Sequence, residues 1–185
     1  MSFNWLDLQK TAHDEFGARL AHVTDWEGET PDTEWNTREL VSHVIDEQRW
    51  VPLLLSGLSV VEAKMRLEPI GADLVTEWAR FSAGALAAWD AIDLAAPVQL
   101  SYGSVPASDY LSEQVSDVTI HSWDVARATS SAETLDDDLV AAVWTIFEPQ
   151  RDTLELSGLF ASPVPIPEDA PLLLQLLALT GRDGR

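Results

Sequence analysis

Four long segments in which apolar residues recur at helical spacing constrain the fold of this 185-residue chain more than any other feature. The pattern predicts helices over about 3–26, 36–57, 72–92 and 108–129. The apolar stripe of each helix can be buried only against other helices, and short connections favour antiparallel neighbours. We therefore predict an all-α fold, an antiparallel four-helix bundle that forms a single domain over 1–185.

Further signals mark helix ends and the remaining segments. Asn36 begins a capping box at the start of the second helix, and Ser108 is predicted to cap the fourth. The stretch 97–106 alternates apolar and polar residues between prolines, which predicts a small extended hairpin. Short extra C-terminal helices are predicted after Asp136 and over 172–179.

The charge balance limits the partners of the chain. It has 31 acidic and 11 basic residues, a formal net charge of -20 and no basic cluster. Such a polyanion repels nucleic-acid phosphates and anionic membrane surfaces, so we expect neither as a partner. The first residues lack the features of a signal peptide, and no apolar run reaches the roughly 20 residues of a membrane span, so we expect a cytoplasmic location.

Polar side chains inside the apolar stripes of two helices are the candidates for chemistry. Asp117 and His121 lie one helical turn apart, so their side chains point the same way and can close on one metal ion. His43 and Glu47 lie in the stripe of the second helix, where an unpaired charge is costly to bury, so both need partners. The chain contains no cysteine, which excludes thiolate ligands and cysteine nucleophiles.

An alternative interpretation gives these candidate residues purely structural roles. A histidine on an apolar face is commonly a hydrogen-bonded core residue, the aspartate and histidine of the fourth helix can form a simple ion pair, and the glutamate can bend toward water. His13 and His22, among charged residues of the first helix, are assigned structural roles. Asp124 and Arg127 are interpreted as a surface ion pair.

Three blocks of the sequence resemble the actinobacterial DinB-like metal-binding family, which is related to mycothiol-dependent maleylpyruvate isomerase. They are TRELVSHVIDEQRWVPLLLSG, YLSEQVSDVTIHSWDVARAT and FASPVPIPEDAPLLLQLLALTGRD, in the family's order. The resemblance implies a four-helix bundle with one divalent metal, zinc or nickel, near its open end. It implies His43 and His121 as ligands, and it places Asp117 where the isomerase has a glutamate.

A metal held by two histidines and one carboxylate keeps positions open for other ligands, the pattern of catalytic sites. A thiol that reaches such a metal becomes a nucleophilic thiolate. Because the chain has no cysteine, the thiol must come from a small molecule, and the resemblance implies mycothiol. We predict a metal-dependent transferase or isomerase that uses a small thiol and a small electrophile, with Glu47 as a base or an extra ligand.

Two alternatives are a non-catalytic metal-binding module and a metal-dependent hydrolase that activates water. The isomerase has a second, C-terminal domain that helps to build its active site. The 185 residues leave no room for such a domain, so we expect metal binding to carry over and maleylpyruvate isomerisation not to. A homodimer is compatible with these features.

Overall fold

The computed structural model describes residues 3–157 and 160–185, and helices dominate it. In chain order the elements are α1 Trp5–Leu20, α2 Thr37–Leu55, α3 Val60–Lys64, α4 Leu74–Ala91, β1 Pro97–Leu100, β2 Gly103–Pro106, α5 Ala107–Ala128, α6 Asp137–Phe147, a 3-10 turn Glu148–Gln150, α7 Arg151–Ser157 and α8 Leu172–Leu179. The predicted all-α class is confirmed.

The long helices α1, α2, α4 and α5 form a four-helix bundle. α1 contacts α4 and α5, and α2 contacts the same two helices, so all four surround a common core. α1 and α4 are antiparallel, because Lys10 pairs with Asp90 toward one end and Phe16 packs on Trp78 toward the other. α2 and α5 are also antiparallel.

α5 is buried on two sides. One side belongs to the bundle core, and Ile120 and Trp123 on the other side join a second apolar core with α6, α7 and α8. A helix that is covered all round loses the single apolar stripe of a surface helix. The C-terminal helices thereby fix the position of α5, which carries two of the three predicted metal ligands.

α1 ends at Leu20, earlier than the sequence predicts. The chain turns back after this residue, and the N–H of Arg38 donates to the carbonyl of Trp26 at 2.8 Å. Val23 and Trp26 still pack against the bundle core, but they do so from the loop between α1 and α2. Their apolar spacing therefore reflects loop packing and not a longer helix.

One of the predicted caps is confirmed and the other is wrong. The Asn36 side chain accepts from the N–H of Glu39 at 2.9 Å, and the Glu39 carboxylate accepts from the N–H of Asn36 at 3.0 Å. At α5 the helix begins at Ala107, and Ser108 does not cap it. The N–H of Ser108 donates to the carbonyl of Leu94 at 2.9 Å, so backbone ahead of the hairpin satisfies the first turn.

The predicted extended segment is an antiparallel hairpin of β1 and β2, with Pro97 opposite Pro106. At its turn Tyr102 donates a hydrogen bond to Glu113 of α5. The predicted helices after Asp136 and over 172–179 are present, whereas the short helices α3 and α7 were not predicted. Within the described ranges, the helices do not combine the length and the apolarity that crossing a membrane requires.

Candidate metal centre

α2 and α5 bring the three predicted metal ligands together. His43 comes from α2, and Asp117 and His121 lie one turn apart on α5. Oδ1 of Asp117 lies 3.5 Å from Nε2 of His43 and 3.5 Å from Nε2 of His121. Donor atoms of the three residues all lie within 4.8 Å of one another, which is close enough for one ion. Metal binding itself stays a prediction.

The chemistry of these donors fits a divalent metal. Two imidazole nitrogens and one carboxylate oxygen suit zinc or nickel and leave coordination positions open. Oδ2 of Asp117 is buried and has no hydrogen-bond partner among the described residues, so an ion can satisfy this carboxylate. The side chains of His43 and Asp117 keep 29% and 27% of their surface exposed, so a small molecule can reach them.

A buried carboxylate lies behind His121. Oδ2 of Asp124 is 3.0 Å from Nδ1 of His121, and Asp124 has no exposed surface. A proton on Nδ1 that is donated to Asp124 leaves the lone pair of Nε2 directed at Asp117, which is the tautomer a metal ligand requires. Burial favours the neutral form of Asp124, but His121 and the charge of Arg182 outweigh it and lower the pKa of this carboxyl.

Arg182, which follows α8, holds the same carboxylate. Its Nη2 lies 2.9 Å from Oδ2 of Asp124 and 3.0 Å from Oδ2 of Asp32 in the loop between α1 and α2. The predicted surface pair of Asp124 with Arg127 is therefore wrong. Arg127 pairs with Glu133 instead, because the helix turns Asp124 inward, away from the surface.

A second cluster of donor atoms, from Asp32, His121 and Asp124, is also compact enough for an ion. The guanidinium of Arg182 already lies against both of its carboxylates and balances their charge. A cation at this place would have to displace Arg182 from a buried ion pair, which is costly. We assign this cluster to the support of His121.

Trp35 covers the predicted ligands from the loop between α1 and α2. Its ring stacks on His43 with the centroids 4.5 Å apart and lies 5.8 Å from the ring of His121. The stacking restricts the orientation of the His43 imidazole. Sequence reasoning treated this stretch only as a polar linker, although a lone tryptophan in such a linker was a usable signal.

The negative charge of Asp117 and the positive charges of the two histidines stabilise each other, whereas His121 opposes protonation of His43. Burial opposes protonation of His121, but the charge of Asp117 outweighs it and raises the pKa of this histidine to about 9. Burial also opposes protonation of His43, and the hydrogen bond and charge of Asp117 raise its pKa nonetheless. The pKa of Asp117 is lowered, because the two imidazoles outweigh the effect of its burial. A metal must displace these protons, so its affinity falls as the pH falls.

Glu47 lies one turn after His43, and the compact donor clusters found among the described residues do not include it. Its Oε2 accepts from Nε2 of Gln114 at 3.3 Å, and Gln114 accepts in turn from Gln48 at 3.0 Å. Burial and the charge of Asp117 raise the pKa of Glu47. A carboxylate with a raised pKa is suited to accept and return a proton, and this role stays a prediction.

A cavity of about 680 Å³ opens beside these residues, and Glu47, Asp117 and His121 line it. A volume of this size is typical of small-molecule sites. Other lining residues come from α5, from the hairpin and from the C-terminal part of the chain, including Phe147 and Phe160. Two of the three predicted ligands, Asp117 and His121, therefore face a space that can hold a substrate, whereas His43 is not part of its lining.

The other histidines of α1 and its end lie away from this cavity. His13 is buried, with Nε2 2.6 Å from Gln9 and Nδ1 2.7 Å from Ser82 on α4. Burial lowers the pKa of His13 to about 4. His22 is exposed. His13 therefore has the structural role that the sequence predicted, as a neutral hydrogen-bonded core residue.

Sequence matches to known proteins extend over most of the chain. The family described as mycothiol maleylpyruvate isomerase N-terminal domain matches residues 8–126, a range that contains all three predicted ligands. Two proteins named as uncharacterized, from two strains of Mycobacterium tuberculosis, are each 32% identical to the chain over 190 residues. These matches cover 97% of this chain and 98% of each relative. No solved structure matches the chain significantly.

Proposed function

Since the chain belongs to the mycothiol maleylpyruvate isomerase N-terminal domain family, we propose that it is a metal-dependent enzyme that adds a small thiol of the mycothiol type to an electrophile, or isomerises the electrophile with that thiol. The observation that carries this proposal is the convergence of His43, Asp117 and His121 beside a cavity of about 680 Å³. A purely structural metal is normally closed by four protein ligands and needs no adjoining space.

In this proposal His43, Asp117 and His121 hold one divalent ion, which when bound lowers the pKa of a thiol and stabilises the thiolate. Asp124 keeps His121 in the tautomer that presents Nε2. Trp35 keeps the His43 ring in place. The thiol belongs to the ligand, because the chain contains no cysteine.

We assign proton transfer to Glu47. When a thiol adds to an electrophile, the sulfur–carbon bond forms and the proton that leaves sulfur ends on the product. Glu47 lines the same cavity as Asp117 and His121, so its carboxylate can accept that proton and return it. Gln114 holds the carboxylate in place through the hydrogen bond at 3.3 Å.

The proposal is tested with cobalt-substituted protein and an added thiol. Mycothiol or N-acetylcysteine should produce a thiolate-to-cobalt charge-transfer band, which only the added molecule can supply because the chain contains no cysteine. The band should grow as the pH rises toward the pKa of a free thiol, roughly 8.5, since the ligand is the thiolate. N-acetylserine, with oxygen in place of sulfur, is the matched control and should produce no such band. A spectrum indifferent to both thiols contradicts the proposal.

Turnover then separates the enzyme classes. With a panel of electrophiles, Glu47→Gln should keep the metal and slow thiol consumption. Asp46→Asn is the matched control, because Asp46 lies next to Glu47 on α2 but is outside the cavity lining and pairs with Arg49. Turnover that needs no thiol would instead indicate a hydrolase, and metal binding without any turnover would indicate a non-catalytic module.

A further inference from the structure

The cavity beside the predicted metal ligands has two walls of different chemistry. One wall is acidic, with the carboxylates of Glu47, Asp109, Glu113 and Asp117. Among the described residues that line the cavity there is no lysine or arginine. The other wall comes from the C-terminal part of the chain and is mainly apolar, with one glutamine and one threonine among its side chains. Any ligand of the cavity meets both.

The acidic wall keeps its negative charge. Tyr102 donates to Glu113 and Gln114 donates to Glu47, and both donors are uncharged. Even with a divalent ion held by Asp117, the other three carboxylates give the cavity a net negative charge when they are ionised. Burial raises the pKa of Glu47 and of Glu113, so this charge becomes complete as the pH rises. The formal net charge of -20 over the whole chain adds a negative potential at longer range. An anionic ligand is therefore repelled both on approach and in the cavity.

The apolar wall is formed by residues that follow the part matched by the family. Phe147 at the end of α6 meets Phe160 edge to face, with the ring centroids 5.3 Å apart. Ile146 and Leu154 line the cavity beside them. All four residues lie beyond 126, where the family match ends. This wall can therefore select a substrate independently of the predicted metal ligands.

We propose that the cavity takes an uncharged substrate with an apolar ring or chain, and that it rejects dicarboxylates such as maleylpyruvate. Proteins hold dicarboxylates mainly through arginine and lysine, which the described cavity lining lacks. The apolar group packs on Phe147 and Phe160, and the reacting end lies toward Glu47. This inference rests on the proposed function in one respect: it takes this cavity as the substrate site.

The test compares two probes of the same shape and different charge, benzylsuccinate and its uncharged diamide. Calorimetric titration of the metal-free protein, which has no ion to bind a carboxylate, should show the diamide binding at least about tenfold more tightly than the dianion, because the dianion meets unpaired like charges. The dianion binding as tightly as the diamide overturns the proposal. An absence of diamide binding at millimolar concentration overturns it as well.

Variants that change a single charge test whether the carboxylates of the cavity lining repel the dianion. Glu113→Lys should raise the affinity for benzylsuccinate roughly tenfold, since it replaces a repulsive charge of the lining with an attractive one. Asp14→Lys changes the net charge equally, but Asp14 is an exposed residue of α1 outside the cavity lining, so the affinity should stay unchanged. Equal effects of the two variants would mean that only the overall charge matters, and would contradict the proposed site.

Variants that remove a phenyl ring test whether the apolar wall binds the diamide. Phe160→Ala should weaken diamide binding, whereas Phe81→Ala, which removes a phenyl packed on the bundle away from the cavity, should not. Diamide binding that is indifferent to Phe160→Ala overturns the assignment of this wall. All of these readouts are equilibrium binding, so failure here leaves the cobalt–thiol test unaffected, and failure of the thiol chemistry leaves these binding results standing.

Discussion

Asp124 lies directly behind His121, with its Oδ2 3.0 Å from the imidazole Nδ1. Arg182 holds the same carboxylate at 2.9 Å and reaches Asp32 at 3.0 Å. One predicted metal ligand is thus connected through a buried ion pair to the chain after α8 and to the loop between α1 and α2. The predicted metal centre and the packing of the C-terminal segment therefore share these residues.

Asp124→Asn should lower zinc affinity by about 10–100-fold, since an amide lacks the charge that fixes the tautomer of His121 and supports its basicity. Competition with a chelating dye measures the change, and circular dichroism checks that the variant is folded. Asp14→Asn, at an exposed position of α1, is the control and should bind zinc normally. An unchanged affinity in Asp124→Asn would show that this carboxylate does not support the metal site.

Arg182→Met should lower the free energy of unfolding by about 3 kcal/mol, because it breaks a buried ion pair and leaves the fully buried Asp124 with His121 alone as its partner. Urea unfolding of the metal-free protein measures the change. The matched control is Arg185→Met, which removes an exposed arginine paired with its neighbour Asp183 and should have little effect. Similar stability of the two variants would contradict the role given to Arg182.

His13 should make stability depend on pH in the acidic range. Its pKa is about 4 in the folded chain and 6.5 in the unfolded one, so the unfolded state binds more protons between these values. Stability is therefore complete above pH 6.5 and falls as the pH is lowered to 4, by about 3 kcal/mol in total.

Urea unfolding at a series of pH values measures this dependence. His13→Gln removes the titrating group and should flatten the curve in this window relative to the wild type, while the remaining titrations cancel in the comparison. Parallel curves for the two proteins would mean that His13 is not held neutral by burial.

The chain should not bind duplex DNA at physiological salt, because a formal net charge of -20 without a basic patch repels the phosphate backbone. Fluorescence anisotropy with a labelled duplex measures binding, and a basic DNA-binding domain serves as the positive control. Saturable binding that weakens as salt is added would contradict the prediction that this charge prevents DNA binding.

The bundle could be predicted from the sequence because burial of an apolar stripe is a local pattern, repeated in every long helix. The pairing of Asp117 with His121 was equally local, since one helical turn separates them. The start of α5 was mispredicted because the acceptor for Ser108 is the carbonyl of Leu94, which no helix-cap pattern reveals. Short helices such as α3 lack enough residues for a clear period.

The residues that surround the predicted ligands could not be predicted from the sequence in the same way. Asp124 looked like a surface residue because its partner Arg182 lies 58 positions later, in a segment whose docking depends on the second core. Trp35 reaches His43 only because its loop turns back onto the start of α2. Such contacts depend on tertiary packing, so the spacing of residues along the chain does not predict them. Only the residue type of Trp35, a tryptophan in a polar linker, could have indicated a packing contact.

Equilibrium zinc binding to single-histidine variants tests the central claim most directly. The wild type should bind one zinc per chain, and His43→Ala and His121→Ala should each abolish stoichiometric binding, because three protein ligands leave no redundancy. His22→Ala, at an exposed histidine, should bind as the wild type does. Retention of wild-type zinc affinity by either His43→Ala or His121→Ala would contradict the metal centre described for this protein.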